Sequence, residues 1–332
     1  MSEKTKKILI RIGIILSAIV FVFVVLNIIP PKKNVSNNPF FTNGERTMVA
    51  AHRGGGDLNP ENTLKAHKYS REIGSDVLEM DLWTSKDGHL IVNHDGDLDR
   101  TSDAAIVYGK TDTTINDYTL EELENLNFGY HFKGSDKNNP YPYRNLEGLD
   151  GASRREVIKE NEIGVLPVMD LLTHFYEKDK DLLFIIEFKE EGALGKAAAD
   201  KLITAVKEQF PAYLRRIAFS TFHAEIEEYI ENTYPDVIRG ACEKSATGFV
   251  ITQLLKVNIF NSSSFGCLQV PLKAAGINLA SKSYINRAHR RNIAVQFWTI
   301  NKVEDMKKLI GLGADCIMTD NPLLLVNTIK SM

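Results

Sequence analysis

The chain has 332 residues, of which 43% are hydrophobic and 25% charged, as in a globular protein with one large domain or two small ones. Residues 1–33 contain six Lys or Arg and one acidic residue, so the remainder contains 34 basic and 42 acidic residues. This acidic remainder excludes the basic surface that nucleic-acid binding requires, and it has no general attraction for anionic membranes.

The first predicted element is a transmembrane helix over residues 12–29, eighteen residues without a charge. It can cross a bilayer core of about 30 Å at about 1.5 Å per residue. A signal peptide typically has a shorter apolar part and a small-residue cleavage site, and a buried core helix rarely lacks a polar face. The basic residues near the span are Lys4, Lys6, Lys7 and Arg11 before it, and Lys32 and Lys33 after it. The excess before the span predicts that residues 1–11 are cytoplasmic. Residues 30–46 would then be a linker, and residues 47–332 one extracytoplasmic domain of a single-pass membrane protein.

From residue 47 onward, apolar runs alternate with amphipathic helical stretches. The predicted strands are MVAAH, DVLEMDLW, LLFIIEFK, RIAFST, VIRGAC, GCLQVP, IAVQFWT and DCIMT. Repeated strand–helix units predict a parallel sheet, either open and doubly wound or closed into a barrel. Eight units in about 285 residues favour a (β/α)₈ TIM barrel. The three cysteines, Cys242, Cys267 and Cys316, lie in apolar runs without metal-ligand spacing and are predicted to be buried thiols.

The strand–helix alternation stops after the second strand, between about residues 95 and 166. This segment follows an Asp-Gly hairpin signal and is rich in Asp, Asn, Gly, Tyr and Pro. Within it, TLEELENLNFG predicts a short helix, with Thr119 as N-cap and Glu122 in the capping-box position. We interpret the segment as an insertion on one barrel loop, of the kind that shapes access to a site.

Acidic residues occur inside two of the predicted strands. Glu79 and Asp81 are two residues apart, so they point to the same face of their strand. Glu187 and Lys189 repeat this spacing near the end of another strand. Charges on buried strands are costly unless they are paired or bind a metal, so a structural ion-pair network is one interpretation. The other is a site for Ca²⁺ or Mg²⁺, which prefer oxygen ligands, at the catalytic face of a barrel.

Two histidines are predicted at the same end of the barrel. His52 ends the first strand and is followed by Arg53, and His94 follows the second strand after the hairpin. A single histidine is more often structural, but two imidazoles at one rim can act as acid and base near neutral pH. The stretch RGGGDLNPEN lets the backbone approach a ligand closely, although it is not a Walker loop. Together with Arg53 and Lys189, these features predict a phosphodiester bound beside a metal.

Several motifs, in order, resemble those of the glycerophosphodiester phosphodiesterase family. They are HRGGGDLNPENT, LEMDLWTSKDGHLIVNHD, FIIEFK, FSTF, FWTIN and IMTDNP, and the resemblance extends over about residues 49–325. DYTLEELENLNFG also resembles the start of the insertion found in that family. The resemblance implies the same barrel fold and a single divalent metal. It also implies release of glycerol 3-phosphate and an alcohol from a glycerophosphodiester, either a small molecule or derived from a lipid.

The resemblance also implies roles for residues that match the family's motifs. They are the acid–base pair His52 and His94, the metal ligands Glu79, Asp81 and Glu187, the phosphate-binding Arg53 and Lys189, the aromatic Trp298 on the glycerol side, and the supporting Glu61. Trp298 would fit equally well as a core aromatic. None of these positions is substituted, so nothing in the motifs indicates an inactive site.

Two other functions fit the same residues. One is a related barrel phosphodiesterase acting on inositol lipids or sphingomyelin-type lipids, and the other is a non-catalytic, membrane-tethered binding module. The sequence leaves open which alcohol departs, whether Ca²⁺ or Mg²⁺ binds, which histidine is the acid, and the oligomeric state.

Overall fold

The computed structural model describes residues 2–29, 31–146, 149, 151–176 and 178–332. Residue 30 of the predicted linker and residues 147, 148 and 150 of the predicted insertion therefore lie outside the described residues. Helix α1 spans Glu3–Ile28 and is capped by Ser2, whose hydroxyl accepts a hydrogen bond from the Thr5 amide. It is longer than the predicted span because the residues before residue 12 also favour a helix. Its apolar window is not buried against the barrel, and both a membrane span and a signal sequence fit it.

Eleven strands are present in the described residues, and all eight predicted strands are among them. They are β1 (Met48–Ala51), β2 (Val77–Thr84), β3 (Leu90–Val92), β4 (Leu183–Phe188), β5 (Ile217–Thr221), β6 (Ile238–Arg239), β7 (Cys267–Val270), β8 (Lys273–Ala274), β9 (Ile277–Asn278), β10 (Ala294–Phe297) and β11 (Cys316–Thr319). The parallel strands neighbour one another in the order β6-β5-β4-β2-β1-β11-β10-β7. A parallel bridge from Gly240 to Cys267 joins the two ends of this order. The predicted TIM barrel is therefore confirmed as a nearly closed eight-stranded parallel barrel.

Helices connect the strands and cover the outside of the barrel. They are α2 (Leu64–Glu72), α3 (Ala104–Val107), α4 (Leu120–Leu123), α5 (Gly151–Glu160), α6 (Val168–Tyr176), α7 (Gly192–Gln209), α8 (Ala224–Thr233), α9 (Glu243–Leu254), α10 (Lys282–His289), α11 (Val303–Leu312) and α12 (Pro322–Lys330). Short 3₁₀ turns occur at His52–Gly54, Ile115–Asp117, Pro211–Tyr213 and Asn258–Phe260. The three cysteines are buried and free, as predicted.

The region after β2 follows the prediction in most respects. Strand β3 pairs antiparallel with β2, and α4 has the predicted capping box between Thr119 and Glu122. The sequence did not predict α5, because Ile158 is its only buried residue and its apolar pattern is therefore weak. Helix α2 begins at Leu64, after the N-cap Thr63, since Asn62 has a φ of +57°, outside the helical range.

The segment after α1 packs against the N-terminal ends of the strands. Phe40 is fully buried in a cluster with Met48 of β1 and Leu183 of β4, residues at the beginnings of their strands. The Asn38 side-chain amide donates hydrogen bonds to the carbonyl oxygens of Gly266 and Asn292. This end of the barrel is thus filled by the chain itself, which leaves the opposite end for a cavity.

The burial of one histidine predicts that the folded state becomes less stable in acid. His67 on α2 is fully buried beneath the Gly54 turn, and neither ring nitrogen has a hydrogen-bond partner among the described residues. Burial lowers its pKa from 6.5 to about 3. The unfolded chain therefore binds a proton first as pH falls, and the folded state loses stability below pH of about 6.5. Between pH 7 and pH 5 this loss should be about 2 kcal/mol.

The variant His67→Leu tests this predicted stability loss, because neither its folded nor its unfolded state can bind this proton. Chemical unfolding at the two pH values should show a smaller stability loss in the variant, by about 2 kcal/mol. Equal losses in the two proteins would show that His67 is not held neutral in the fold.

Candidate active site

The three acidic residues predicted from the strands converge at one end of the barrel. Glu79 and Asp81 lie on β2 and Glu187 on β4, and the strand register places Asp81 directly beside Glu187. One oxygen from each carboxylate lies within 4.8 Å of the others. Glu79 and Asp81 are almost completely buried. Such a cluster needs a compensating positive charge, because buried like charges repel one another.

Two cationic side chains compensate part of this charge. The Lys189 ammonium lies 2.9 Å from Oδ1 of Asp81 and 2.7 Å from Oε1 of Glu187, and Nε of Arg53 lies 4.0 Å from Oδ2 of Asp81. Burial and the charge of Asp81 raise the pKa of Glu79 to about 8. Burial and Asp81 also raise the pKa of Glu187, although Lys189 opposes this. The carboxylates therefore remain short of positive charge.

The donor set fits a hard divalent cation. Among the described residues, the buried Oδ2 of Asp81 has no hydrogen-bond partner, so a good acceptor remains unused. The cluster in Glu79, Asp81 and Glu187 is all oxygen, the ligand type that Ca²⁺ and Mg²⁺ prefer. On its chemistry, this cluster could hold a metal ion.

The glycine loop directs the backbone after β1 toward these carboxylates. Arg53 has a φ of +51°, a strained conformation for a residue with a side chain, and its amide donates a 2.7 Å hydrogen bond to Oε2 of Glu79. Gly55 follows with a φ of +86°, and a Cβ there would lie 2.7 Å from the Ser70 hydroxyl. Glycine is needed in this turn because a larger residue would clash with α2.

Each candidate acid–base histidine is oriented by a carboxylate. Nδ1 of His52 donates to Oδ1 of Asp320 at 2.6 Å, and Nδ1 of His94 donates to Oδ1 of Asp95 at 2.7 Å. Burial would lower the pKa of His52, but the hydrogen bond to Asp320 and the charge of Glu79 raise it overall. The pKa of His94 is lowered, mainly by burial. With Nδ1 occupied in both rings, Nε2 is the nitrogen available to a bound ligand.

Arg100, which the sequence did not single out, links Glu61 to Asp95. Arg100 donates to Glu61 at 2.7 and 2.9 Å and also bonds Asp95, the partner of His94. Glu61 in turn accepts a 3.2 Å hydrogen bond from Arg53. Although burial opposes it, the bonds to Arg100 and Arg53 lower the pKa of Glu61. Asp320 and Asp95 were also missed, even though they lie inside the motifs IMTDNP and LEMDLWTSKDGHLIVNHD.

These groups surround a cavity of about 410 Å³ at the C-terminal ends of the strands. Its polar wall contains all but two of the predicted site residues: His52, Arg53, Glu79, Asp81, His94, Glu187 and Lys189. Trp298 lines its apolar side, in edge-to-face contact with Phe222 at 6.2 Å between ring centroids. Glu61 does not line this cavity, and it is connected to the cavity residues through Arg53 and through Arg100. Sequence reasoning missed Phe222, although it ends the motif FSTF.

Known proteins share both the sequence pattern and the barrel. The model of the glycerophosphoryl diester phosphodiesterase family matches residues 52–324. A glycerophosphodiester phosphodiesterase of Caldanaerobacter subterraneus subsp. tengcongensis is 27% identical over 287 residues, which cover 86% of this chain and 98% of that protein.

Solved structures agree with this fold. The glycerophosphoryl diester phosphodiesterase domain of a Mycobacterium tuberculosis protein aligns with a TM-score of 0.65 and 16% identity, covering 85% of this chain and 99% of that one. An Oleispira antarctica phosphodiesterase in complex with the product sn-glycerol-3-phosphate aligns with a TM-score of 0.59 and 19% identity, covering 86% and 97%.

Proposed function

The chain belongs to the glycerophosphoryl diester phosphodiesterase family and is a phosphoric diester hydrolase, and from that premise we propose that it hydrolyses glycerophosphodiesters to glycerol 3-phosphate and an alcohol. The observation that carries this proposal is the convergence of two oriented histidines, three carboxylates, two of them buried, and two cations on one cavity. The bound sn-glycerol-3-phosphate of the Oleispira antarctica enzyme supports the same product.

Proton transfer is assigned to the two histidines. One of His52 and His94 removes a proton from the nucleophile, which is either the neighbouring glycerol hydroxyl or water. The other gives a proton to the departing alcohol. If the glycerol hydroxyl attacks first, a cyclic phosphate forms, and water then opens it. The carboxylates of Asp320 and Asp95 support this assignment, because they hold both rings with Nε2 available to the substrate.

Charge stabilisation is assigned to the metal ligands and the two cations. Glu79, Asp81 and Glu187 would hold Ca²⁺ or Mg²⁺, which when bound supplies positive charge for the phosphate oxygens as negative charge develops on them. Arg53 and Lys189 contribute fixed positive charge at the same place. We assign Trp298 to the glycerol side of the substrate and Glu61 to the orientation of Arg53.

A substrate panel tests the proposed reaction. The purified full chain is given glycerophosphocholine, glycerophosphoethanolamine, a phosphoinositide and sphingomyelin, and the products are identified. Release of glycerol 3-phosphate supports the proposal. Release of inositol phosphate or ceramide phosphate instead would support the related lipid phosphodiesterases, and no turnover of any diester would support a binding module.

We also propose the domain organisation and topology read from the sequence. Residues 1–11 are cytoplasmic, residues 12–29 span the membrane, residues 30–46 link, and residues 47–332 form the extracytoplasmic barrel with an insertion at about 95–166. The support is the exposed, apolar α1 and the basic residues that precede residue 12.

A reporter fused after Met332 checks this topology. An enzyme reporter that is active only outside the cytoplasm should be active in this fusion. Activity of a cytoplasm-specific reporter at the same position would reverse the assignment, and a free, cleaved barrel in the medium would identify α1 as a signal sequence.

A further inference from the structure

The acidic residues of the barrel are unevenly distributed along the chain. The sequence has no Asp or Glu from residue 244 to residue 303, a stretch of 60 residues that contains eight Lys or Arg. The other 239 residues of the segment 34–332 contain 26 basic and 42 acidic residues. The absence of a general attraction for anionic membranes, predicted from the net charge, therefore does not apply to this stretch.

The fold gathers most of this stretch on one side of the barrel. It forms α9 after its first residue, the antiparallel β8–β9 hairpin and α10, which cover the barrel around β7. Helices α9 and α10 pack together, since the rings of Phe249 and Tyr284 meet edge to face at 5.8 Å between centroids. We call the surface formed by the exposed side chains of residues 244–290 the basic sector.

The positive charge of the basic sector is accessible at its surface. Its exposed cations are Lys244, Lys256, Lys273, Lys282 and Arg290. Two acidic residues border it. Glu243 is the first residue of α9, and Glu231 on the neighbouring α8 is engaged by Arg239 at 3.2 Å and by the Ser264 hydroxyl. The basic sector therefore presents an excess of positive charge to a partner.

The basic sector also exposes large apolar side chains. Ile251, Leu254 and Leu255 are spaced i, i+3 and i+4, so they share one face of α9, and each is at least half exposed. Phe260 extends this apolar surface in the 3₁₀ turn that follows. Basic and apolar side chains side by side are typical of surfaces that lie in a membrane interface, because the cations attract anionic headgroups and the apolar groups enter the acyl region.

Helix α1 ends beside the basic sector. It contacts the 3₁₀ turn Asn258–Phe260, and the Arg290 guanidinium donates a 3.2 Å hydrogen bond to the carbonyl of Ile29, the residue after α1. Among the described residues, α1 is the only helix long and apolar enough to cross a bilayer. A bilayer crossed by α1 would therefore meet the barrel near the basic sector.

We propose that the basic sector rests on an anionic lipid bilayer, with Leu254, Leu255 and Phe260 in the interface and the lysines at the headgroups. This interaction surface does not depend on the reaction that the cavity performs. The rest of the barrel favours the same orientation, because its excess of acidic residues is repelled by anionic headgroups. A second copy of the chain fits less well, because a symmetric contact would bring two positive surfaces together.

Quenching of a fluorophore by lipids tests the contact. The full chain is placed in nanodiscs that contain phosphatidylglycerol and is labelled at Leu255→Cys, because the three native cysteines are buried and leave the introduced thiol as the accessible one. Lipids with a quencher on the acyl chain should lower the fluorescence by about half or more, since interfacial side chains lie about 5–10 Å inside the headgroup boundary.

The matched control is a label at Ile106→Cys. Ile106 is 60% exposed and Leu255 is 61% exposed. Ile106 lies in the insertion after β2, and β2 is four strands from β7 in the barrel order, on the opposite side. The label at residue 106 should therefore be quenched far less than the label at residue 255.

Charge reversal tests the part played by the lysines. Each basic residue near an anionic surface strengthens association by about fivefold, so Lys256→Glu with Lys282→Glu should weaken docking by at least about twentyfold. Quenching at residue 255 should then fall to the level at residue 106. Lys137→Glu with Lys180→Glu makes the same charge change at exposed positions outside the basic sector and should keep the wild-type quenching. Circular dichroism confirms that each variant is folded.

Three results would overturn the proposal, and none of them bears on the proposed reaction. The first is equal quenching at residues 255 and 106. The second is equal quenching at residue 255 in nanodiscs of phosphatidylglycerol and of phosphatidylcholine, because the basic side chains would then have no effect. The third is disulfide cross-linking of residue 255 between two chains without quenching by lipid, because it would identify the basic sector as a contact between protein chains.

Discussion

Replacing either His52 or His94 with alanine should lower kcat/KM for glycerophosphocholine by about 10²–10⁴-fold, the usual contribution of a positioned general acid or base. The double variant should be little worse than either single variant, because groups that act as one unit are strongly non-additive. The measurement is steady-state kinetics at saturating metal, with circular dichroism to confirm that each variant is folded.

A third histidine provides the control for this experiment. His89 is exposed in the turn between β2 and β3 and does not line the cavity, so His89→Ala should keep the wild-type rate. The acid–base assignment of His94 would be wrong if His94→Ala kept near-normal turnover. It would also be wrong if that substitution melted the barrel, because the histidine would then be structural.

Removing divalent metal should abolish turnover, and Ca²⁺ or Mg²⁺ should restore it. The buried carboxylates repel one another, and burial with Asp81 raises the pKa of Glu79 to about 8, so a bound cation should displace a proton from this cluster. Calorimetric titration of the metal-free protein should therefore show one binding event with proton release at pH 7. This readout does not depend on activity.

Glu79→Ala separates loss of the metal from loss of proton transfer. It should weaken metal binding, and part of its activity should return at high metal concentration, whereas the histidine variants should show no such rescue. Glu121→Ala, at an exposed position on α4, should bind metal like the wild type. Full activity in excess chelator, with no metal detectable in the protein, would refute the metal assignment.

The sequence predicted the barrel well because its signals are local. Each barrel strand is a short apolar run, and Glu79, Asp81 and Glu187 are conspicuous as charges inside such runs. Helix α5 gave no comparable signal, since it packs only lightly.

The ion pairs around the site could not be predicted from the sequence in the same way. Asp320 lies 268 residues from its partner His52, and Arg100 lies 39 residues from Glu61. Partners so far apart meet only when the barrel closes, and many surface Asp and Arg residues would have fitted the sequence equally well. The sequence can therefore identify site residues that stand at unusual positions, but not those that reach the site only through folding.

The contacts of Asn38 and Phe40 give the segment that follows α1 a structural role in the barrel. These residues lie outside the matched family region, yet they close the barrel at the end opposite the cavity. Asn34 adds a backbone hydrogen bond to Arg291 at 2.8 Å. The segment therefore seals the base of the barrel against water. A deletion between residues 34 and 41 would expose the strand ends to water, so the length of this segment is constrained by the interior of the barrel.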